Sequence, residues 1–384
     1  GHIREGRAVV EHLGLKNIEL RHGDILDLDA SAGTFDWIVA HGVYSWVPAA
    51  VREHVLNVVA TTLAPSGLAY VGFNTNPGWL LRGQLRDQIL AGCDDDDDRC
   101  ARARALFDSL LPELRTRVDP HSASLLALVT ELSAHEDWFL RHDLVGDWNT
   151  PFTFHAFQRH VATSGLRYVG DSCYGNLAPT LLLSAMGMSR GSTAHLEFEQ
   201  RSDLITNRSH RGALLCHGGA ELTDAADCRQ LERMHVASPL GRRVQSFRFE
   251  VNGPDALGSL RVSESEHSPA VTLALRRLGE IWPVSLPFGD LVDDATRGEV
   301  GAEFLKLFVK GELELTLAPP RFTLTPGDRP EGCPLARYQV SSGQPKVTNR
   351  KHEPVGLPHA IERDVLAMLT GDQDLEAIAG VLGV

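Results

Sequence analysis

The chain has 384 residues, of which 43% are hydrophobic and 23% charged, a composition typical of a globular protein of two or three domains. Its formal net charge of -13 disfavours a nucleic acid or an anionic membrane surface as the main partner, because both attract clustered lysine and arginine. The six cysteines form no CxxC pair, and the sequence shows neither a signal-peptide pattern nor an apolar run of membrane-spanning length. We therefore predict a cytoplasmic protein with reduced thiols.

Two classes of enzyme are disfavoured by the motifs. The 17 histidines include no HExxH or similar ligand spacing, so we expect no metal site. A serine hydrolase is not expected either, because the sequence contains no GxSxG.

The N-terminal stretch begins with an amphipathic helix. Ile3–Leu13 is predicted because its apolar side chains recur at helical spacing and Gly14 ends the pattern. A short strand, Asn17–Leu20, and a loop that carries Asp24 follow. The sequence starts at Gly1, without methionine, within this helical pattern, which leads us to expect a further segment upstream.

A strand, a helix and a second strand come next, with short turns between them. The strand Phe35–Ala40, the helix Ala49–Leu63 and the strand Leu68–Phe73 predict a right-handed parallel β-α-β unit. We interpret residues 1–79 as the beginning of an α/β domain that is incomplete at its N-terminus.

Residues 80–149 are predicted as a helical insertion, since strand patterns disappear there. The run Asp94–Asp98 is interpreted as a solvated turn, because adjacent acids do not converge on one metal ion without partners. The α/β pattern returns in residues 150–220 with a helix and two strands. These elements are predicted at Thr153–Ser164, Leu166–Gly170 and Gly212–Cys216.

Residues 221–325 have the element order of a winged-helix domain, three short helices and then a strand pair. The helices are predicted at Ala270–Ile281, Pro287–Thr296 and Ala302–Phe308, and the strands at Glu312–Leu317 and Arg321–Leu324. The third helix carries only Lys306 and Lys310 as basic residues, which favours protein interaction over DNA reading. Residues 326–384 are left as a C-terminal segment with a helix near Ala360–Leu369.

Polar and aromatic side chains follow both strands of the β-α-β unit. Ligands of open parallel α/β sheets bind beyond the carboxyl ends of the strands, so these two loops predict one shared site. An ordinary loop or turn with its aromatic rings in the core is the alternative. The candidate residues are His41, Gly42, Val43, Tyr44, Ser45 and Trp46 after the first strand, and Asn74, Asn76, Pro77, Gly78 and Trp79 after the second.

Asp24 has two interpretations of about equal weight. Its carboxylate can accept hydrogen bonds from an amine on a flat heterocycle, with Ile25 packed on the face of the ring. Alternatively, Asp24 caps a local turn.

Several stretches resemble class I S-adenosylmethionine-dependent methyltransferases that carry a methyltransferase regulatory domain, a group that includes protein-lysine methyltransferases of rickettsiae. They are LRHGDILDL, FDWIVAHGVYSWVP, LAPSGLAYVGFNTNPGW, PFTFHAFQRHVATSGLRYVGD, HRGALLCH and RRLGEIWPVSLPFGDLV. The resemblance implies an α/β, Rossmann-like sheet that lacks its first strands, with a helical insertion and a C-terminal winged-helix-like α+β region. The family's glycine-rich loop and ribose-binding acid are not found in this sequence.

The resemblance also implies a cofactor and roles for the loop residues. S-adenosylmethionine is the implied cofactor, with Asp24 and Ile25 at its adenine and His41, Gly42 and Val43 at its methionine end. The residues implied to face the methyl acceptor are Tyr44, Trp46, Asn74, Asn76 and Trp79. Tyr44 and His41 are the candidates for assisting deprotonation of a lysine.

Three functions follow from this reading. The leading one is methyl transfer to lysine side chains of proteins, and the family resemblance implies a homodimer through the helical insertion. A methyltransferase of small molecules differs only in its acceptor. A catalytically inactive interaction protein would keep the fold and use the insertion and the winged-helix part as a binding platform.

Overall fold

The computed structural model describes residues 1–91, 98–172, 188–222, 227–241, 267–319 and 321–383. Most of the predicted run Asp94–Asp98 lies outside these ranges. The chain divides into two compact units, one that joins Gly1–His22 to Asp227–Val384 and one that spans Gly23–Ala226. Across the described ranges, no helix combines the length and the apolar character that crossing a membrane requires.

Helix α1 spans His2–His12, and Gly14, with a φ of 63°, follows its end as predicted. The strand predicted at Asn17–Leu20 is wrong, because these residues lie in no strand. The carbonyl oxygen of Leu20 instead accepts a hydrogen bond from Nη2 of Arg7 at 2.8 Å. An extended segment becomes a strand only by pairing with a neighbour, which a pattern of side chains does not reveal.

The predicted β-α-β unit is confirmed. Strands β1 (Phe35–Ala40) and β2 (Leu63–Asn74) are parallel neighbours, and α2 (Ala49–Thr62) joins them. Alternate side chains of a strand share one face, and on β2 those of Ala69, Val71 and Phe73 enter the core. The side chains between them point to the other face of the sheet.

A helical segment follows β2. Its helices pack around a core of their own that includes Phe107, Leu132 and Leu140. The helices are α3 (Trp79–Leu90), α4 (Arg99–Leu114), α5 (Pro120–Ser133) and α6 (Asp137–Asp143).

The remaining elements of this unit complete its sheet. They are α7 (Phe154–Thr163), β3 (Leu166–Asp171), α8 (Thr193–Thr206) and β4 (His210–His217). The strand order is β1-β2-β4-β3, and β4 is antiparallel to both of its neighbours. It follows that β3 runs parallel to β1 and β2, and the α/β prediction is confirmed.

The other unit contains a small antiparallel sheet with helices. Its first elements are β5 (His235–Ala237), α9 (Pro269–Ile281), β6 (Leu286–Pro287), α10 (Arg297–Val309) and β7 (Glu314–Thr316), with strand order β6-β5-β7. The helix predicted at Pro287–Thr296 is wrong, since only Phe288–Leu291 forms a short 3₁₀ turn. The strand predicted at Arg321–Leu324 is also wrong, because β7 pairs with β5 from a distant part of the chain.

The C-terminal residues form helices and a two-stranded hairpin. The elements are α11 (Pro334–Ser341), β8 (Lys346–Thr348), β9 (Pro354–Gly356), α12 (Ala360–Met368) and α13 (Leu375–Leu382). Strands β8 and β9 are antiparallel. The helix predicted near Ala360–Leu369 is confirmed by α12.

Candidate active site

Three parallel strands of the Gly23–Ala226 unit end at one edge of the sheet. His41 follows β1, Asn74 ends β2 and Ser172 follows β3. The antiparallel β4 begins at the same edge, where His210 pairs with Asn74. The fold therefore brings the predicted His41 and Asn74 together with Ser172 and His210, which were not predicted.

His41 is exposed at this edge and lies close to a tyrosine and a second histidine. Its Nδ1 lies 3.0 Å from the hydroxyl of Tyr70, and its ring centre lies 6.0 Å from that of His210. His210 is itself exposed, but desolvation of its ring by the surrounding protein and the neighbouring His41 lower its pKa. Gly42 has a φ of 68°, a left-handed conformation that glycine adopts without strain, so the chain turns sharply after His41.

Two glycines form the floor beneath this cluster. Gly72 of β2 and Gly212 of β4 are paired across the sheet. A Cβ at Gly212 would lie 2.3 Å from Oγ of Ser172 and 2.6 Å from the ring of Tyr70. A Cβ at Gly72 would crowd Tyr70 and His41 at 3.1 to 3.3 Å. The side chains of Tyr70, His41 and Ser172 therefore pack directly against the backbone of the two glycines.

Tyr44 lies in the core. This agrees with the alternative interpretation of its loop, in which the aromatic rings pack into the core instead of facing a ligand. Its ring is fully buried and packs against Phe152 and Phe157. Its hydroxyl lies 2.5 Å from Nδ1 of His160 on α7. Burial raises the pKa of Tyr44 and lowers the pKa of His160, so both side chains are neutral and the hydroxyl donates to the ring. This placement does not bring Tyr44 into contact with a methyl acceptor.

Ser45 and Asn74 tie the two strand-end loops together. The hydroxyl of Ser45 accepts a hydrogen bond from the backbone N–H of Asn74 at 2.8 Å, and the side-chain amide of Asn74 donates to Oδ1 of Asn149 at 3.0 Å. The carbonyl of Ser45 also accepts from the backbone of Thr150 at 2.8 Å. Asn74 is buried by these contacts and acts as a positioning residue of the edge.

Trp46 and Trp79 form an aromatic wall beside these loops. Their ring centres lie 5.7 Å apart at an angle of 77°, an edge-to-face contact. Trp79 begins α3 and is buried, whereas Trp46 is half-buried. Asn76 precedes a cis peptide bond to Pro77, and its side chain lines a pocket beside α3.

Asp24 makes the contact that its turn-capping interpretation predicts. Its Oδ1 accepts a hydrogen bond from the backbone N–H of Leu26 at 2.9 Å and caps a 3₁₀ turn, Ile25–Asp27. The side chain is exposed and its Oδ2 takes no part in that bond, so a ligand can still be bound there. Ile25 is also exposed.

A buried ionic network stabilises the far strands of the sheet. Arg211 of β4 lies 2.8 Å from both Asp203 and Glu199 of α8, and all three are fully buried. Burial opposes the charge of Arg211, but Tyr168 and these two acids raise its pKa overall. The guanidinium also lies over the ring of Phe154, 4.5 Å from its centre. The network anchors β4, which places His210 at the edge.

Tyr70, Ser172 and His210 were missed by the sequence reasoning. Tyr70 lies in the middle of a predicted strand, and His210 lies just before the predicted strand Gly212–Cys216, in a stretch that was used only for the family resemblance. The positions of Ser172 and His210 depend on β4 inserting between β2 and β3, a pairing between distant parts of the chain, whereas Tyr70 lies on β2 beside β1. The glycines within the strands, Gly72 and Gly212, were the available signal, because glycine in a strand marks a close approach.

Two family models match parts of the chain. A predicted methyltransferase regulatory domain matches residues 136–217, and the C-terminal winged helix domain of PKMT matches residues 328–383. The first range contains α7, β3, α8 and β4. The second contains α11 to α13 with the β8–β9 hairpin, and it lies after residues 221–325, where the element order had predicted a winged helix.

Two proteins of Rickettsia prowazekii are similar to the chain, one over almost its whole length and the other over part of it. The uncharacterized protein RP789 of Rickettsia prowazekii is 28% identical over 407 residues, which cover 98% of this chain and 72% of that protein. The uncharacterized protein RP028 of the same organism is 32% identical over 158 residues, which cover 40% of this chain and 63% of that protein.

Solved structures share the fold over almost the whole chain. PKMT2 from Rickettsia typhi has a TM-score of 0.78 at 25% sequence identity, covering 99% of this chain and 78% of that chain. The same values hold for PKMT2 in complex with AdoHcy.

Proposed function

Because the chain carries the regulatory domain and the C-terminal winged helix domain of the methyltransferase family that its sequence resembles, we propose that it is an S-adenosylmethionine-dependent methyltransferase acting on lysine side chains of proteins. The observation that carries the proposal is the fold shared with PKMT2, which was solved with AdoHcy, the product left when S-adenosylmethionine gives up its methyl group.

The exposed residues of the edge fit such a cofactor. Asp24 offers a free carboxylate oxygen to an adenine amine, and the exposed Ile25 offers an apolar surface to the ring. The turn at Gly42 exposes backbone groups after β1, beside His41 and Val43. The bound cofactor supplies a methyl group on a sulfonium, an activated and positively charged donor.

The chain's own residues then have to position a neutral lysine amine. A lysine has a pKa of about 10.4 in water, so its amine must lose a proton before it can act as a nucleophile. We assign the acceptance of that proton to His41. When Nδ1–H of His41 donates to the hydroxyl of Tyr70, Nε2 keeps a free lone pair for the amine proton.

The aromatic and amide residues beside the edge would orient the acceptor. The half-buried ring of Trp46, supported from behind by the buried Trp79, provides a surface against which the methylene chain of a lysine can pack. Asn76 is available to the acceptor, whereas Asn74 supports the loop through Ser45 and Asn149. Tyr44 has a supporting role in the core.

Calorimetric titration of AdoHcy into the full-length protein tests the proposal. We expect micromolar binding, weakened about tenfold or more by Asp24→Ala. Asp29→Ala is the matched control, because Asp29 is also exposed and caps a neighbouring 3₁₀ turn through the N–H of Ser31 at 2.8 Å. No heat from the folded protein would refute the proposal and favour the catalytically inactive interaction protein. Equal effects of the two variants would leave Asp24 as a turn cap only.

A homodimer remains a prediction of the resemblance. Sedimentation of the full-length protein over a range of concentrations tests it, and a single monomeric species at all concentrations would contradict it.

A further inference from the structure

A pocket of about 380 Å³ opens beside the candidate active site, within the same unit. It is bounded by the loop after β2, the start of α3, the start of α7 and one face of α8. Its lining residues are Asn76, Pro77, Leu80, Thr153, His155, Glu197, Gln200, Arg201 and Leu204.

One face of α8 supplies nearly half of these residues. Glu197, Gln200, Arg201 and Leu204 are spaced three and four residues apart, so their side chains lie together on the helix. None of them belongs to the buried ionic network beneath α8. This face of α8 therefore lines the pocket and takes no part in the ionic network.

Part of the rim of the pocket is apolar and open to solvent. Leu80 is 58% exposed and Leu204 is 67% exposed. Large apolar side chains that border a concave surface are typical of a binding site for another molecule. Pro77 extends this apolar surface toward the end of β2.

Two carboxamides lie within the apolar surface. Oε1 of Gln200 accepts a hydrogen bond from the backbone N–H of His155 at 3.1 Å, which leaves the NH₂ group of Gln200 as a donor. The side-chain amide of Asn76 makes no hydrogen bond within the part of the chain that is described. Amides that can donate and accept match the N–H and C=O groups of a polypeptide backbone.

Charges of both signs stand at the same rim. Glu197 and Arg201 are exposed, and neither takes part in an ion pair with another described residue. A carboxylate in this position attracts a basic side chain, and the net charge of -13 favours the approach of a basic segment. Arg201 offers donors to a peptide carbonyl or carboxylate.

We propose that this pocket binds a polypeptide segment of the methyl acceptor, with an apolar side chain between Leu80 and Leu204 and a basic one at Glu197. The inference rests on the proposed function and adds to it a separate docking site for the protein substrate. Asn76 is two residues from Asn74, so the pocket begins about 7 Å along the chain from the sheet edge. A segment held here can present a neighbouring lysine to that edge.

The test uses the full-length protein and fluorescent peptides of about ten residues with a central lysine and varied flanking residues. Leu204→Asp should weaken binding of a peptide with a flanking leucine about tenfold, and should raise KM in methyl-transfer assays with kcat unchanged. Ile205→Asp is the matched control, because Ile205 is 76% exposed on the same helix and does not line the pocket. It should leave both values unaltered.

A second variant tests the NH₂ group of Gln200. Gln200→Glu keeps an oxygen for the N–H of His155 but removes the NH₂ donor, so it should weaken peptide binding while preserving the thermal midpoint of unfolding. No peptide binding, or equal effects of Leu204→Asp and Ile205→Asp, would overturn the inference.

AdoHcy titration of the same samples separates this inference from the proposed function. If AdoHcy binds but free lysine is methylated as efficiently as the peptides, the docking proposal fails and the enzyme stands. If AdoHcy does not bind, the proposed function fails, and peptide affinity is still measured directly by fluorescence.

Discussion

The hydroxyl of Tyr44 and Nδ1 of His160 lie 2.5 Å apart within the core and join the loop after β1 to helix α7. The two residues come from distant parts of the chain, so the contact fixes the loop relative to the helix. Tyr44 thereby holds His41 and Ser45, its neighbours in sequence, at the edge of the sheet.

Tyr44→Phe should lower the free energy of unfolding by about 1–3 kcal/mol, because the ring stays packed while Nδ1 of His160 loses its donor. Urea denaturation measures this change, and AdoHcy affinity should remain within about a factor of three. Lost methyl transfer with unchanged stability would instead make Tyr44 a catalytic residue.

His160 should make stability depend on pH. Burial lowers the pKa of His160 in the folded protein, so the unfolded chain binds the proton more readily. The contribution is fully present above about pH 6.5, the ordinary pKa of histidine, and is lost as the pH falls toward the lowered value. His160→Gln should reduce the fall in unfolding free energy between about pH 7 and pH 5. An unchanged pH dependence would contradict this assignment.

Arg211→Met should destabilise the protein by about 3–5 kcal/mol, since it removes the buried cation that Asp203 and Glu199 share and leaves only Arg208, 3.2 Å from Asp203, and His195, 3.5 Å from Glu199. Arg117→Met is the control in the same unit, because Arg117 pairs with Asp119 at 3.4 Å on the surface. The control should cost at most about 1 kcal/mol. Thermal or urea unfolding of both variants measures the difference, and equal losses would contradict a structural role for the network.

Gly212→Ala should cost about 1–3 kcal/mol and displace Ser172 and Tyr70, because its Cβ would lie 2.3 Å from Oγ of Ser172 and 2.6 Å from the ring of Tyr70. Gly83→Ala is the control, since no atom lies within 4 Å of a Cβ there, in the middle of α3. It should stabilise the protein by about 0.4–1 kcal/mol. A neutral Gly212→Ala variant with normal activity would show that the glycine floor is dispensable.

The sequence predicted those parts of the fold whose signals are local. β1, α2, β2 and α7 were found because apolar periodicity and turn residues mark them within short windows. The strand at Asn17–Leu20 and the partner of β7 could not be found in this way, since pairing with distant residues decides both.

The residues of the candidate site also fall into those that local patterns predict and those that depend on contacts between distant parts of the chain. His41 and Asn74 were predicted at one edge because parallel strands bring their carboxyl ends together. His210 meets His41 only through β4, which a local pattern does not place, whereas Tyr70 reaches His41 from β2, the neighbour of β1. The burial of Tyr44 could not be read from its loop, because an aromatic residue after a strand suits both the core and a ligand.

The insertion of β4 between β2 and β3 also sets the order in which a growing chain can assemble. Among the strands that the structure describes, β3 pairs only with β4, and β2 has just β1 beside it until residues 210–217 have been synthesised. A nascent chain that has reached α7 and β3 therefore exposes unpaired strand edges. We expect the ribosome-bound protein to depend on chaperones in that interval, and the edge that carries His41 and His210 to form only once β4 has emerged.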